Sequence, residues 1–230
     1  MKSFNYLSVL GAFLFFVFSC GDAPKGEEAQ TGDAESTQSE TSAAKAIEGA
    51  IPMTIDIGNS TFSWRATKLM GGGHNGTFTL SGGDLFLKDN QIVAGKFTID
   101  MNSLANLDIE NAGKKANLEG HLKSDEFFDT ALHPTATFEI TEAIPSTESQ
   151  NQRQQITGNL TIKGITKSIT VYVKVNPTDK GVTASTGSFV IDRTEWGVMY
   201  DSGLIGTAQD KIINDKVAID IYITAVKSEG

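Results

Sequence analysis

Two of the three histidines, His121 and His133, bracket a stretch that contains Asp125, Glu126 and Asp129. Imidazoles and carboxylates at that density are the raw material of a metal site or an acid–base pair. Their spacing argues against a metal: no two histidines stand four apart on one helical face, and no short zinc signature is present. His121 is therefore expected to pack or hydrogen-bond where a helix meets a sheet. A hydrolase using His121, Asp125 and Asp129 is the enzymatic alternative, and it requires those groups to converge on one pocket. Gly71-Gly72-Gly73-His74 is followed by no Gly-Lys-Ser/Thr and reads as a strand connection, not a phosphate loop. There is no Gly-x-Ser-x-Gly elbow. Arg193, beside Asp192 and near Glu195, predicts an ion pair at a strand end, or a contact for an anionic headgroup. Lys163 and Lys167 have a similar claim. No catalytic residue, metal or cofactor is expected.

Cys20 is the single cysteine, which rules out an intramolecular disulfide, a cysteine metal cage and, given the role assigned to it next, a Cys–His enzyme. It follows Lys2 and an apolar run from Tyr6 to Phe18, too short for a stable membrane span and suited to a secretory signal. Val17-Phe18-Ser19-Cys20 resembles a bacterial lipobox. Residues 1–19 are thus predicted to be a signal peptide and Cys20 the lipidated first residue of an exported lipoprotein. Each buried acyl CH₂ contributes about 0.8 kcal/mol, so several chains hold a protein on a cell-envelope membrane without a spanning helix. Residues 20–50 continue as an acidic linker, with seven acids after Cys20 against Lys25 and Lys45 and one large aliphatic, Ile47. Such a composition buries too little apolar surface to offset its ordering entropy, which predicts disorder.

The elements that would position any site begin at residue 51. Residues 51–230 alternate apolar and polar side chains in short runs separated by turn residues, the mark of an antiparallel sandwich or barrel. The clearest unit is Gly158–Val175. Leu160 and Ile162 precede a Lys163-Gly164 turn, and Ile169, Val171, Val173 and Val175 then share one face. Phe62 and Trp64, Phe78 and Leu80, and Phe97, Ile99 and Met101 repeat the pattern, with turns expected at Asn59-Ser60, Gly82-Gly83 and Asp89-Asn90. Leu118, His121 and Leu122 fit one helical face. Ser124 is expected to cap a further turn, and Phe127-Phe128 to offer a hydrophobic plug in an excursion that covers one end or flank of the sheet. The final strand, Val217 to Ala225, is strong enough that an open edge there would invite aggregation, which favours closure.

The formal net charge of −9 argues against nucleic acid and against adsorption to anionic lipid through a basic patch. The inward faces leave two alternatives: Phe62, Trp64, Phe78, Phe97, Ile99, Phe138 and Phe189 fill a dry core, or they line a hollow. An eight-stranded barrel admits either.

Two blocks are more specific: His121-Leu122-Lys123-Ser124-Asp125-Glu126-Phe127-Phe128-Asp129 with Pro134 and Phe138, and Gly158-Asn159-Leu160-Thr161-Ile162-Lys163-Gly164-Ile165-Thr166-Lys167. With Arg193 and Trp196-Gly197, and with Gly76-Thr77-Phe78 and Ile99 in the first half, the order from about Ile55 to Val226 resembles the YceI-like family of exported bacterial proteins. Trp196 stands where Phe is usual. The resemblance implies an all-β, lipocalin-like, extended antiparallel barrel of about eight strands with a short helical excursion. It also implies a pore, lined by the residues just named, that binds, carries or sequesters a polyisoprenoid or another long-chain amphiphile. A non-binding adhesion or scaffold domain is the second reading, marked by an exposed apolar patch outside the barrel. The oligomeric state is left open.

Overall fold

Strands with one apolar face bury it most completely when the sheet curls onto itself and no edge remains. The computed structural model describes residues 23–35, 48–145 and 153–228 and shows that solution. The expected signal peptide, Cys20 and residues 36–47 of the expected linker lie outside the described residues.

The strands are β1 (Glu27–Glu28), β2 (Gln30–Asp33), β3 (Ile51–Ile55), β4 (Thr61–Thr67), β5 (Gly73–Lys88), β6 (Gln91–Asn106), β7 (Thr135–Ile144), β8 (Arg153–Ile162), β9 (Ile165–Pro177), β10 (Gly181–Asp192) and β11 (Lys216–Lys227). One α-helix, α1 (Ala112–Lys123), lies between β6 and β7. From β5 to β11 each strand pairs antiparallel with the next. β3 and β4, separated by a 3-10 turn at Ile57–Asn59, share one position between β5 and β11. The result is a closed eight-stranded antiparallel barrel with extra strands.

The turns follow backbone chemistry. Lys163 and Gly164 have φ of 51° and 74°, and Asp89 and Asn90 have 52° and 62°, the paired positive values that suit tight hairpins. Gly82-Gly83 does not turn the chain. β5 runs through it as one strand with register shifts, and a Cβ at Gly83 would collide with Lys96 and Phe97 on β6. Gly158 is needed for the same reason, because the Phe138 ring lies over it. Ser124 ends α1, its backbone N–H and its hydroxyl both donating to the His121 carbonyl, and a further turn follows it as expected, held by its own carbonyl, which accepts from the Phe127 and Asp129 N–H groups.

The two ends of the barrel differ. Every connection at one end is long or structured: 68–72, 107–134 with α1, and 193–215, apart from the tight 163–164 turn. This is the mouth. At the opposite end β9 and β10 pair directly, Lys174–Pro177 against Val182–Ser185. Toward the mouth they part, and β1 and β2 occupy the gap. β1 runs parallel to β10, with Glu27 opposite Phe189, and β2 antiparallel to β9, with Gln30 to Asp33 opposite Thr170 to Lys167. Nine strands therefore surround the mouth half and eight the other.

This arm lies inside the segment expected to be disordered. Its apolar content is as low as the composition indicates, since only Ala29 is buried. Backbone pairing holds it instead, with three ion pairs: Glu27 to Arg153 at 3.1 Å, Glu28 to Lys216 at 2.7 Å and Asp33 to Lys167 at 3.3 Å. A rule based on side-chain burial misses a strand whose drive is two unpaired sheet edges.

Candidate functional site: a blind apolar tunnel

Inward-facing side chains of the nine-stranded half do not meet. They enclose a chamber of about 350 Å³ lined by Trp64, Ala66, Phe78, Ile99, Met101 and Ala136 on the strands. Leu118 and Leu122 of α1, then Phe127 and Phe128, cover it, and Trp196, Val198 and Tyr200 complete its wall. Barrel diameter grows with strand number, so the inserted arm is the physical reason for width at this end. Phe62 and Ile219 line both this chamber and a narrower void of about 60 Å³, which reaches Phe97, Phe138, Leu160 and Phe189. That deeper part has an entirely apolar wall apart from Thr186. At its far end Leu85, Ile92 and Gln154 are all buried. Gln154 spans the far end, accepting from the Ile92 backbone N–H at 3.0 Å and donating to the Ile92 carbonyl. The tunnel is thus open at the mouth and blind at the other end.

All seven residues predicted to face the interior are on its wall: Trp64, Phe78 and Ile99 in the chamber, Phe97, Phe138 and Phe189 in the deep part, and Phe62 at the junction. Phe97 and Phe138 pack with ring centroids 5.4 Å apart, and Phe78 meets Phe62 and Phe128 edge-on at 5.9 and 6.0 Å. The Phe127-Phe128 plug is real but partial. Phe127 lies 4.9 Å from Tyr200, and His121 stands edge-on to both rings. The cover is a cluster on one side of the mouth, and the chamber stays open beside it.

His121 behaves as a packed residue. Its Nε2 pairs with Glu126 Oε2 at 2.8 Å, not with Asp125 or Asp129. Among the described residues no three His, Cys, Asp or Glu side chains gather as metal ligands would. Burial, with smaller contributions from Asp201 and Glu126, raises the Tyr200 phenol above its ordinary pKa, so it stays protonated at neutral pH.

Arg193 lines the chamber, but its guanidinium faces the wall. Nη1 donates to the Val198 carbonyl at 2.7 Å, Nε to that of Asn214 at 3.3 Å, and Nη2 to the Ile213 carbonyl at 3.2 Å and to Asp215 Oδ1 at 3.1 Å. Its ion-pair partner is therefore Asp215, not Asp192 or Glu195. Asp192 caps the following turn through the Thr194 N–H, and Glu195 lies 3.6 Å from Lys167. Burial lowers the Arg193 pKa, and Asp215, Asp192 and Asp201 oppose that shift. With these donors committed to the fold, Arg193 staples the 193–215 crossing and has little left for a headgroup. Lys163 donates to the Phe127 carbonyl at 2.7 Å and fastens the plug segment.

The polar group that sequence reasoning missed is Trp64 Nε1. Among the described residues it is the one buried side-chain nitrogen or oxygen with no hydrogen-bond partner. The indole lies over Gly76, where a Cβ would strike the ring. Trp196 Nε1, by contrast, donates to the Leu160 carbonyl at 2.9 Å, which accounts for an indole at a position where the pattern has Phe. Only pairing in three dimensions separates these two tryptophans.

Comparison with known proteins agrees with this architecture. The YceI-like domain model matches residues 53–225. A UPF0312 protein of Pseudomonas aeruginosa is 33% identical over 113 residues, covering 47% of this chain and 53% of that protein. Protein YceI of Escherichia coli O157:H7 is 31% identical over 100 residues, 44% of this chain and 48% of that one. The chain spans about half the length of the curated relatives it matches. Among solved structures, Burkholderia cenocepacia BcnA superposes with TM-score 0.59 at 23% identity, covering 74% of this chain and 98% of that one. A polyisoprenoid binding domain from Saccharophagus degradans gives 0.57 at 14%, covering 77% and 99%; at these identities both likenesses concern the fold. With the domain model matched from Met53 into the last barrel strand, the chain belongs to the YceI-like family.

Proposed function

We propose that this protein binds a polyisoprenoid or a similar long-chain amphiphile in the mouth half of its barrel, tail inward, and carries or sequesters it outside the cytoplasm. The observation that carries the proposal is the blind apolar tunnel. Its 350 Å³ chamber falls in the size range of small-molecule sites, roughly 300–1,000 Å³, and it narrows to an apolar end. Burial of hydrocarbon contributes about 25 cal/mol per Å², so a tail needs few polar contacts to be held. The Trp64 N–H supplies one, a donor for an oxygen of the ligand's head. The polyisoprenoid-binding description of the Saccharophagus degradans domain supports the ligand class. The engagement of His121 with Glu126 favours binding over hydrolysis.

In this proposal Cys20 is lipidated and holds the barrel at a cell-envelope membrane, with the arm starting a few residues after it. Cys20→Ser then shifts protein from the membrane to the soluble fraction, and unchanged fractionation contradicts the anchor. The ligand itself is tested by organic extraction of purified protein and mass spectrometry. A stoichiometric long-chain lipid is expected; absence of one, with no uptake of a fluorescent geranylgeraniol, contradicts the binding role.

A further inference from the structure

Isolated exposed aliphatic residues are ordinary on protein surfaces, but their distribution here is not even. Five large apolar side chains among the described residues are more than half exposed: Met70 at 66%, Leu107 at 63%, Leu132 at 75%, Leu204 at 70% and Ile205 at 58%. Every one lies in a connection at the mouth. Met70 is between β4 and β5, Leu107 follows β6, Leu132 precedes β7, and Leu204 and Ile205 are in the β10–β11 crossing. At the blind end the most exposed are Ile51 at 49% and Ile144 at 40%. The mouth residues sit on three different connections at that end of the barrel. Glu110, Asp125 and Asp210 stand among them with Lys68 and Lys211, so no cationic patch accompanies them.

We infer that this rim docks on the face of a lipid bilayer and seats the tunnel mouth on the membrane. Its chemistry selects the surface. Separate aliphatic tips on polar loops enter the headgroup–acyl boundary singly, and the largely apolar chamber lies at the same end of the barrel. Without excess positive charge the attraction is apolar, so an uncharged zwitterionic surface suffices and anionic lipid adds nothing. The inference adds a second membrane contact to the anchor proposed at Cys20. It takes its biological reason from the lipid-binding proposal, but its physical test does not depend on that proposal.

The experiment uses the full chain with Cys20→Ser, so that a single introduced cysteine carries an environment-sensitive nitrobenzoxadiazole label. Leu204→Cys and Leu132→Cys report on the rim, and Ile144→Cys on the blind end. With phosphatidylcholine vesicles, both rim labels are expected to shift to the blue and brighten at least twofold while the Ile144→Cys label is unchanged. An equal response at all three sites overturns the inference. So does silence at the rim, or a rim response that rises with protein concentration in the absence of vesicles. A second measurement replaces Met70, Leu107, Leu132, Leu204 and Ile205 together by Ser. Uptake of fluorescent geranylgeraniol from vesicles is expected to slow at least tenfold, with uptake from detergent solution within twofold of the parent. Equal rates from vesicles overturn the docking role. Failure of either protein to take the probe from detergent counts against the lipid-binding proposal alone, and the labels still decide the docking.

Discussion

The mouth half and the blind half of the barrel are built from the same strands, yet one holds a wide chamber and the other only a narrow void. β5, β6 and β8 to β11 run through both, with comparable alternation. What differs is the number of strands around the circumference and what crosses the ends. Below, β9 pairs with β10 and Gln154 ties across to Ile92. Above, β1 and β2 spread β9 from β10, and the 193–215 crossing is pinned by Arg193. Inward aromatic residues therefore do not determine whether a barrel is hollow; strand count and end closure do.

The largest expected effect breaks the upper end. Arg193→Met leaves the Val198, Ile213 and Asn214 carbonyls and the Asp215 carboxylate without their partner, and is expected to cost about 3 kcal/mol of stability. A fall in the denaturation midpoint measures it. A shift under about 1 kcal/mol would show that the staple is dispensable.

Next comes a matched pair of enlargements. Ala184 faces the deep part and Ala66 the chamber. Ala184→Leu has only the narrow void of about 60 Å³ to enter, overpacks it, and is expected to destabilise by about 2 kcal/mol. Ala66→Leu finds open space and is expected to change stability by less than about 0.5 kcal/mol while reducing the lipid taken up. Equal costs at both sites would erase the contrast between the halves.

The extent of this that could be read from the sequence follows from what each feature depends on. The Lys163-Gly164 hairpin, the C-terminal strand and the seven inward residues rest on local alternation and turn chemistry, which a single chain displays. The arm rests on edges supplied by β9 and β10, more than 130 residues away, and its own side chains carry no sign of it. Asp215 as the partner of Arg193 is fixed by the course of a long crossing. Gly82-Gly83 has the composition of a turn but serves as a bend that admits β6. The void is the most remote from sequence, because it is a property of how several faces fail to meet.

Two smaller effects sharpen the comparison at the mouth. Trp64→Phe keeps the ring over Gly76 and removes the unpaired N–H. Affinity for geranylgeraniol is expected to fall about tenfold, the worth of one buried hydrogen bond of roughly 1.4 kcal/mol, with stability unchanged or slightly improved. Equal affinity would place the ligand's oxygen elsewhere.

The smallest concerns Asp108, which joins the β4–β5 hairpin to the end of β6. Burial pushes its carboxyl pKa up, but hydrogen bonds from the Asn75 N–H, His74 and Asn106 outweigh that and leave it lowered. A lowered folded-state pKa contributes stability that is complete above the unfolded value, near 3.9 as a rough reference, and is lost as pH falls through the folded value. The stability gap between the parent and Asp108→Asn is expected to be under about 1 kcal/mol at pH 7 and to close in acid. A gap independent of pH would assign the difference to something other than this carboxylate.

The wide mouth and narrow base are tested most directly by a crystal structure of the protein with the lipid that accompanies it through purification. The account predicts one continuous chain of density entering beside Phe127 and Phe128, passing Phe62, ending among Phe97, Phe138 and Phe189, and stopping short of Gln154. Density running out past Gln154, or a chamber closed by Trp64, Met101 and Phe128 with no ligand between them, would contradict it.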